Sequence, residues 1–358
     1  MIYIGWNSWN HYGCGINEQI VKLTADALVS SGLASKGYTY VNIDDCWAYK
    51  RDEHGIIHED PKTFPSGMKA LADYVHSKNL KFGLYSDSGN QTCAGRPGSL
   101  GFETQDAETY ASWGVDYLKY DNCYSEHILP MIRYPVMRDA LNKTGRPIFY
   151  SMCEWGQYLP SLWAPQIGNS WRTTGDINDR WSSMLINIDI TNLFAEAAAP
   201  GGWNDPDMLE IGNGHMSSVE YISHMSLWAI AKAPLLIGCD VTNMSADTLK
   251  ILTNQEVIDV NQDALGVQGK KIRLDLQNDL EVWAGPLADG AQVVLLFNRS
   301  LRTQGITVFW TEIGFNEKQI ATVRDLWKHE DLGNFQQYYN ATAIDSHGVV
   351  MLKIKPKL

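Results

Sequence analysis

Carboxylates in this 358-residue chain gather where β-rich runs stop. Val115-Asp116-Tyr117-Leu118-Lys119-Tyr120-Asp121-Asn122-Cys123 is aromatic and β-branched and ends in a polar Asp-Asn pair, the pattern of a strand and its exit. Side chains alternate along a strand, so Lys119 and Asp121 share one face while Leu118 and Tyr120 take the other. A cation beside a carboxylate favours the ionised acid, which suits a nucleophile or a charge stabiliser; a buried structural ion pair is the competing explanation. Similar runs close on Asp44-Asp45-Cys46-Trp47, Asp87, Glu154, Asp176, and Asp205 with Asp207. Such a ring of acids could hold a metal, clamp hydroxyl groups or run acid/base chemistry.

The nine histidines include no His-x-His and no His-Glu-x-x-His, patterns common in zinc hydrolases, so an all-oxygen Mg²⁺ or Ca²⁺ site is the metal alternative that stays open. No Gly-x-Ser-x-Gly elbow is present, which counts against a serine hydrolase of the α/β type. Gly201-Gly202-Trp203 is followed by acids that would repel phosphate. Carboxylates, a lysine, an arginine and tryptophans around one mouth suit a neutral polyol, and sugar is the expected ligand, with no metal or other cofactor. The 41 acidic against 29 basic residues give a net charge of -12, and no basic run could neutralise a phosphate backbone; nucleic acid is excluded as a partner. The 13 Trp and 17 Tyr suit stacking against sugar rings, although aromatics also fill cores.

The elements that must position these groups follow from periodicity. β-rich runs recur at Tyr3 to Trp6, Tyr38 to Asp44, Lys81 to Asp87, Asp116 to Asp121, Pro147 to Glu154, Ser170 to Asp176, Gly202 to Met208 and Pro234 to Asp240. Apolar residues at helical spacing fall between them and after the last: Ile20 to Leu33, Met68 to Lys78, Thr104 to Trp113, Pro130 to Leu141, Leu159 to Ile167, Trp181 to Ala198, Val219 to Lys232 and Ala246 to Gln262. Eight strand-helix units predict an α/β (β/α)₈ TIM barrel over residues 1–265, with a doubly wound open sheet as the alternative. In such a barrel the catalytic groups sit at the C-terminal ends of the strands, where these acids fall. After about Leu265 the alternation stops, and short strand-like pieces with turn residues between them predict a structural or accessory antiparallel β-domain over 266–358. The pieces are Lys271 to Leu276, Leu280 to Ala284, Ala291 to Asn298, Gly305 to Trp310, Ala321 to Asp325 and Gly348 to Ile354.

The longest apolar run, Leu227 to Gly238, is interrupted by Lys232 and too short to cross a bilayer. The N-terminus lacks the basic and long apolar regions of a signal peptide, yet sequons at Asn90, Asn142, Asn243, Asn298 and Asn340 favour a secretory history. The expectation is a secreted or vacuolar/lysosomal glycoprotein whose leader is absent from this chain. Six cysteines allow 15 pairings, and an oxidising compartment would bridge some of them.

Gly5-Trp6-Asn7-Ser8-Trp9, Ile43-Asp44-Asp45-Cys46-Trp47, Tyr117 to Cys123, Cys153-Glu154-Trp155 and Pro200-Gly201-Gly202-Trp203-Asn204-Asp205-Pro206-Asp207-Met208 resemble the motifs of the family 27 glycoside hydrolases, plant-type α-galactosidases most closely. The similarity runs from Trp6 to about Gln262 and continues more loosely to the C-terminus. It implies a barrel followed by an antiparallel β-sandwich, and a retaining exo-glycosidase that releases terminal α-galactosyl residues from oligosaccharides, galactomannans or glycolipids. It implies that Asp121 is the nucleophile and Asp176 the acid/base, with Asp179 the competitor for the second role. On physical grounds Asp121 should stay ionised beside Lys119, and a second carboxylate across the site should help Asp176 hold its proton. The resemblance further places Asp44 and Asp45 on the 4- and 6-hydroxyls, Lys119 on the 3- and 4-hydroxyls, and Glu154, Arg172 and Asp207 near the 2-hydroxyl. Trp6, Tyr85, Trp155 and Met208 become apolar walls, and Glu154 would crowd an N-acetyl group. Bridges Cys14–Cys46 and Cys93–Cys123 are implied, so that Cys123 would lock the loop after Asp121; Cys153 and Cys239 would be free and buried. A β-L-arabinopyranosidase and a galactose-binding protein without chemistry are the alternatives.

Overall fold

The computed structural model describes residues 2–357. Eight parallel strands form one sheet: β1 (Ile4–Asn7), β2 (Tyr40–Asn42), β3 (Lys81–Asp87), β4 (Tyr117–Asp121), β5 (Phe149–Met152), β6 (Ser170–Arg172), β7 (Trp203–Asp205) and β8 (Leu235–Ile237). β8 pairs with β1, and Leu209, just past β7, bridges in parallel to Ile237 of β8, so the sheet closes into a barrel. Around it lie α1 (Glu18–Ser30), α2 (Met68–Ser77), α3 (Glu103–Trp113), α4 (Pro130–Lys143), α5 (Trp181–Asn192), α6 (Ser218–Ile230), α7 (Ala246–Leu252) and α8 (Gln255–Asn261).

Three expected helices differ. Trp181 to Ala198 stops at Asn192, and a separate 3₁₀ turn, Ala195–Ala197, follows it. Leu159 to Ile167 forms only two 3₁₀ turns, Pro160–Leu162 and Ala164–Gln166, because Pro160 and Pro165 lack the amide hydrogens a longer helix needs. Ala246 to Gln262 is broken into α7 and α8, where the Asn254 side chain accepts the Val257 amide (3.3 Å) and caps a new helix start. The strands also end earlier than the sequence pattern suggests: β2 at Asn42, β5 at Met152, β6 at Arg172 and β7 at Asp205. Asp44, Asp45, Glu154, Asp176 and Asp207 therefore stand on the loops that leave the barrel.

β4 shows how alternation builds the site. Tyr117 points into the barrel and stacks on Tyr3 with centroids 4.6 Å apart, inside a cluster completed by Tyr40 and Phe149. Lys119 comes next on the same face, and Asp121 reaches the mouth. Leu118 and Tyr120 face the helices, where Tyr120 packs against Tyr134 and Tyr150. Many of the abundant aromatics are thus core, consistent with their size and apolar area.

The C-terminal strands are β9 (Lys270–Asp275), β10 (Leu280–Pro286), β11 (Gln292–Asn298), β12 (Gln304–Phe309), β13 (Ile320–Asp325), β14 (Glu330–Gln336), β15 (Tyr338–Ile344) and β16 (Val349–Pro356). Six form a sheet in the order β9-β10-β11-β16-β13-β14, and β12 pairs with β15. β11 divides its side chains: Val293, Leu295 and Phe297 join the barrel core, while Val294 and Leu296 face a second core with Val308 and Trp310. The family-type sandwich is what this two-sided burial produces. β14 and β15 have no counterpart among the expected strands; polar residues fill β14, a largely exposed edge strand whose register against β13 shifts at Gly333. Among the described residues, no helix is long and apolar enough to cross a membrane.

Candidate active site

One pocket at the barrel mouth is lined by Asp44, Asp45, Tyr85, Lys119, Asp121, Trp155, Arg172, Asp176, Asp207 and Met208, with Trp9 and Cys93. Asp121 is only 5 % exposed; one carboxylate oxygen accepts the Tyr85 hydroxyl (2.7 Å) and the other the Asn122 amide (3.0 Å). β3 and β4 pair Tyr85 with Lys119 and Asp87 with Asp121, which brings the Tyr85 hydroxyl to the Asp121 carboxylate. Lys119 donates to Asp44 (2.8 Å), whose same oxygen takes the Asn7 amide (2.9 Å). Burial works against the Lys119 charge, and Asp44 with Asp121 more than offsets it. Asp45 accepts the Cys46 and Ala94 amides, and burial still raises its carboxyl.

The opposite wall is built around Arg172, which reaches Asp176 (3.0 Å) and Asp207 (3.1 Å). Asp207 has φ of 81° and Trp155 φ of 60°, left-handed values that non-glycine residues rarely hold outside constrained sites. The loop after Asp121 is held by the Cys93–Cys123 bridge and by the Cys123 amide, which donates to Asp87 (2.9 Å). Gly89 makes this closeness possible: a Cβ there would lie 2.0 Å from the Cys123 carbonyl oxygen.

Three residues expected in the site stand behind its surface. Trp6 is fully buried, donates its indole N–H to the Cys239 carbonyl (2.9 Å) and packs on Tyr12; Trp9, from the same motif, reaches the pocket. Cys123 lines an adjoining groove, and its disulfide partner Cys93 is the one of the two that lines the pocket. Glu154 is wholly buried, takes the Tyr158 amide (3.1 Å) on one oxygen and leaves the other without a partner among the described residues. Burial pushes its carboxyl up to about 7. Asp179 does not line this pocket and is engaged by the Tyr221 hydroxyl (2.9 Å) and the His215 amide (2.7 Å). Trp9 was legible only as part of its motif, since nothing in spacing distinguishes it from Trp6.

The charge balance of the two principal acids reverses the expectation. Burial pushes Asp121 up to about 6, with Lys119 and the Tyr85 hydroxyl opposing and Asp44 adding to the rise. Asp176 is also penalised by burial, but Arg172 and Lys119 hold it below the usual carboxylate range. The sequence suggested Lys119 as the cation that would dominate at Asp121; it could not show that Arg172 would contact Asp176 directly.

Cys14–Cys46 and Cys93–Cys123 are bridged, and Cys153 and Cys239 are free and buried. Among the described residues one group, Asp87 with Cys93 and Cys123, has ligand atoms close enough to share a metal, but both sulfurs are spent in the disulfide. Carboxylates, one lysine and one arginine around an enclosed mouth at the C-terminal face of a barrel define a site of the polyol-processing, carboxylate-driven class.

The family model for α-galactosidase A matches residues 4–263, and that for the α-galactosidase C-terminal β-sandwich domain matches 277–354. α-Galactosidase 3 of Arabidopsis thaliana is 57 % identical over 356 residues, 99 % of this chain and 82 % of that protein. The structure of α-galactosidase I from Mortierella vinacea superposes with a TM-score of 0.94 at 40 % identity, covering 99 % and 96 % of the two chains. That of an α-galactosidase from Saccharomyces cerevisiae with raffinose gives 0.95 at 32 % identity, covering 99 % and 98 %. The chain belongs to the α-galactosidase family of glycoside hydrolases. It is an enzyme that acts on α-galactosides.

Proposed function

We propose that Asp121 is the nucleophile and Asp176 the acid/base of a retaining α-galactosidase, with residues 1–265 carrying the chemistry and 266–358 serving as an accessory β-domain. Asp121 attacks the anomeric carbon while Asp176 protonates the departing oxygen; water activated by Asp176 then releases galactose from the covalent intermediate. The observation that carries this reading is that both acids line one pocket with the hydroxyl clamps Asp44, Asp45, Lys119, Arg172 and Asp207. Tyr85 holds the nucleophile's carboxylate in place, and Trp155 and Met208 wall the ring. In the resting site Asp176 leans on Arg172; a substrate 2-hydroxyl that engages Arg172 and Asp207 would free Asp176 to take up its proton.

Trp6 and Glu154 support the wall from behind, and Cys123 does so through its disulfide. The substrates are terminal α-galactosides of oligosaccharides, galactomannans or glycolipids. A secreted or vacuolar/lysosomal setting agrees with the two disulfides and with exposed sequon asparagines at 90, 142, 243 and 340. Asn298 is the exception, since it is buried with its amide on three carbonyls.

Replacing Asp121 by Asn tests the assignment on aryl α-galactoside and aryl β-L-arabinopyranoside. Loss of roughly a thousandfold or more in kcat is expected, as for removal of a covalent nucleophile. Full activity in D121N would sink the assignment. A wild-type preference for the arabinoside would change the substrate while leaving the mechanism.

A further inference from the structure

Four lysine and arginine side chains are buried among the described residues: Lys119, Arg133, Arg172 and Lys232. Lys119 is paired with Asp44, and Arg172 with Asp176 and Asp207. The other two have only neutral oxygens as hydrogen-bond partners. Lys232 rests on the Val260 carbonyl, and burial pushes its ammonium down to about 8, so it can shed its charge. A guanidinium cannot. Arg133, 3 % exposed on α4, therefore stays a cation inside the protein with no carboxylate in contact. A buried charge of that kind is costly unless opposite charge lies close by. The end of β4 supplies it: wholly buried Asp87 pairs in register with Asp121, burial and Asp121 push the Asp87 carboxyl up to about 8, and Arg133 opposes that rise.

The contacts of Arg133 run to both sides of Asp121. Nη1 donates to the Ser88 hydroxyl, which donates on to the Asp121 backbone carbonyl (2.8 Å), as the Ser88 amide does (2.9 Å). Nη2 donates to the side-chain oxygen of Asn122, whose amide donates to the Asp121 carboxylate (3.0 Å). Nε donates to the Ile128 carbonyl (2.8 Å), just past a loop in which Tyr124, Glu126 and His127 hold positive φ. Backbone of that kind persists only where its surroundings hold it. One guanidinium thus fastens the exit of β3, the exit of β4 and the loop into α4. It lines a neighbouring groove and not the galactose pocket. Its N–H groups diverge from a rigid plane in fixed directions, a geometry an ammonium cannot copy.

Resting on the assignment of Asp121 above, we propose that Arg133 is a positioning residue for the nucleophile: through Ser88 and Asn122 it fixes the main chain and carboxylate of Asp121 from the helix side. Tyr85 holds the same carboxylate from β3, so the nucleophile is clamped between a hydroxyl in the pocket and a cation outside it.

Arg133→Met tests the proposal, with kcat/KM measured on an aryl α-galactoside and Ki measured for galactose as a competitive inhibitor. The attack step, read as kcat/KM, should slow by roughly ten- to a hundredfold, the scale of a slightly misplaced reacting group. Ki should change by less than about threefold, since Arg133 contacts none of the hydroxyl clamps. An unchanged kcat/KM, or a rise in Ki that matches its fall, overturns the proposal. Should Arg133→Met fail to fold, Asn122→Ala is the smaller cut: it removes the oxygen that Arg133 holds beside the carboxylate, and kcat/KM should still fall, by roughly fivefold, with Ki unchanged. An undiminished kcat/KM in that variant overturns the proposal as well. Where both fold, the double variant should lose little beyond Arg133→Met alone, and a fully multiplicative loss would show that Arg133 does not act through Asn122. D121N measured alongside separates this proposal from the assignment beneath it, because an active D121N removes the nucleophile whatever Arg133 does.

Discussion

The β4 end and the β6 loop meet at the same pocket, yet they hold their acids in opposite ways. Asp121 terminates a strand, is 5 % exposed, and is held by the Tyr85 hydroxyl, by its neighbour's amide and by a loop fixed through Cys93–Cys123. Asp176 lies beyond the end of β6 with its side chain 63 % exposed, held by Arg172 alone. The difference matches the two tasks proposed for them. A nucleophile must meet one carbon at one distance, so its position is over-determined. An acid/base must take a proton, give it up and face two different oxygens in turn, so a single partner that a substrate can draw away is the better tether.

The most direct way to break this comparison is to remove the loosely held acid. Asp176→Ala should lower kcat/KM, which reports the first displacement, on an unactivated galactoside by roughly a hundred- to ten-thousandfold, the range of general acid/base catalysis, and by much less on an aryl galactoside whose leaving group needs no proton. Equal losses on both substrates would mean that Asp176 acts elsewhere in the cycle.

The second test loosens the rigid side. The Cys93–Cys123 bridge closes a loop of 30 residues, worth about 3–4 kcal/mol in the chain-entropy description. Cys93→Ser with Cys123→Ser should lower Tm, and because Cys93 lines the pocket and the Cys123 amide binds Asp87, kcat should drop at temperatures where the variant is still folded. Removing the Cys14–Cys46 bridge should lower Tm with a smaller effect on kcat. Equal kinetic losses in the two variants would show that the loop after Asp121 is not specially dependent on its staple.

How much of this contrast the sequence could show depends on the physical scale involved. The barrel was legible because period-2 and period-3.6 patterns are local: β3 runs from Lys81 to Asp87 as its pattern predicts, and Lys119 and Asp121 share a face because alternation leaves no other choice. Local competition spoiled the rest, as when Pro160 and Pro165 cut a helix into 3₁₀ turns and Asn254 started a new one. Trp6 and Trp9 stand three residues apart in one motif, and only the turn of chain after β1 decides that Trp9 reaches the pocket while Trp6 stays behind it. Glu154 reads like any other acid closing a β-rich run, although it is buried behind the wall with one oxygen on the Tyr158 amide. The polar β14 carries no strand signal because an exposed edge needs no apolar face. The opposed shifts of the two acids are the least legible of all, since they arise from burial of Asp121 and from Arg172 meeting Asp176 across a loop.

That inversion gives the last and smallest test, and it has a definite sign. For Asp121 the folded-state value is raised to about 6 from an ordinary value near 4, so its contribution to stability is fully present below about pH 4 and is lost as pH rises through 6. Above pH 6 the folded protein keeps a buried carboxylate ionised at a cost of roughly 2–3 kcal/mol, and Asp121→Asn removes that cost. D121N should therefore be inactive yet more stable than the parent by a few degrees at pH 7, with the gain shrinking towards pH 4. For Asp176 the folded-state value is lowered, so its contribution is present at neutral pH and lost as pH falls through the folded value, below the ordinary carboxylate range. Asp176→Asn should lower Tm slightly at pH 7, the effect being small because the Asp176 carboxylate is largely open to solvent and its pairing with Arg172 is screened. Melting curves of both variants from pH 4 to 8 read the two signs directly. If both variants shift Tm in the same direction at pH 7, Arg172 and Lys119 do not divide the two acids as described, and the contrast between a fixed nucleophile and a tethered acid/base would rest on geometry alone.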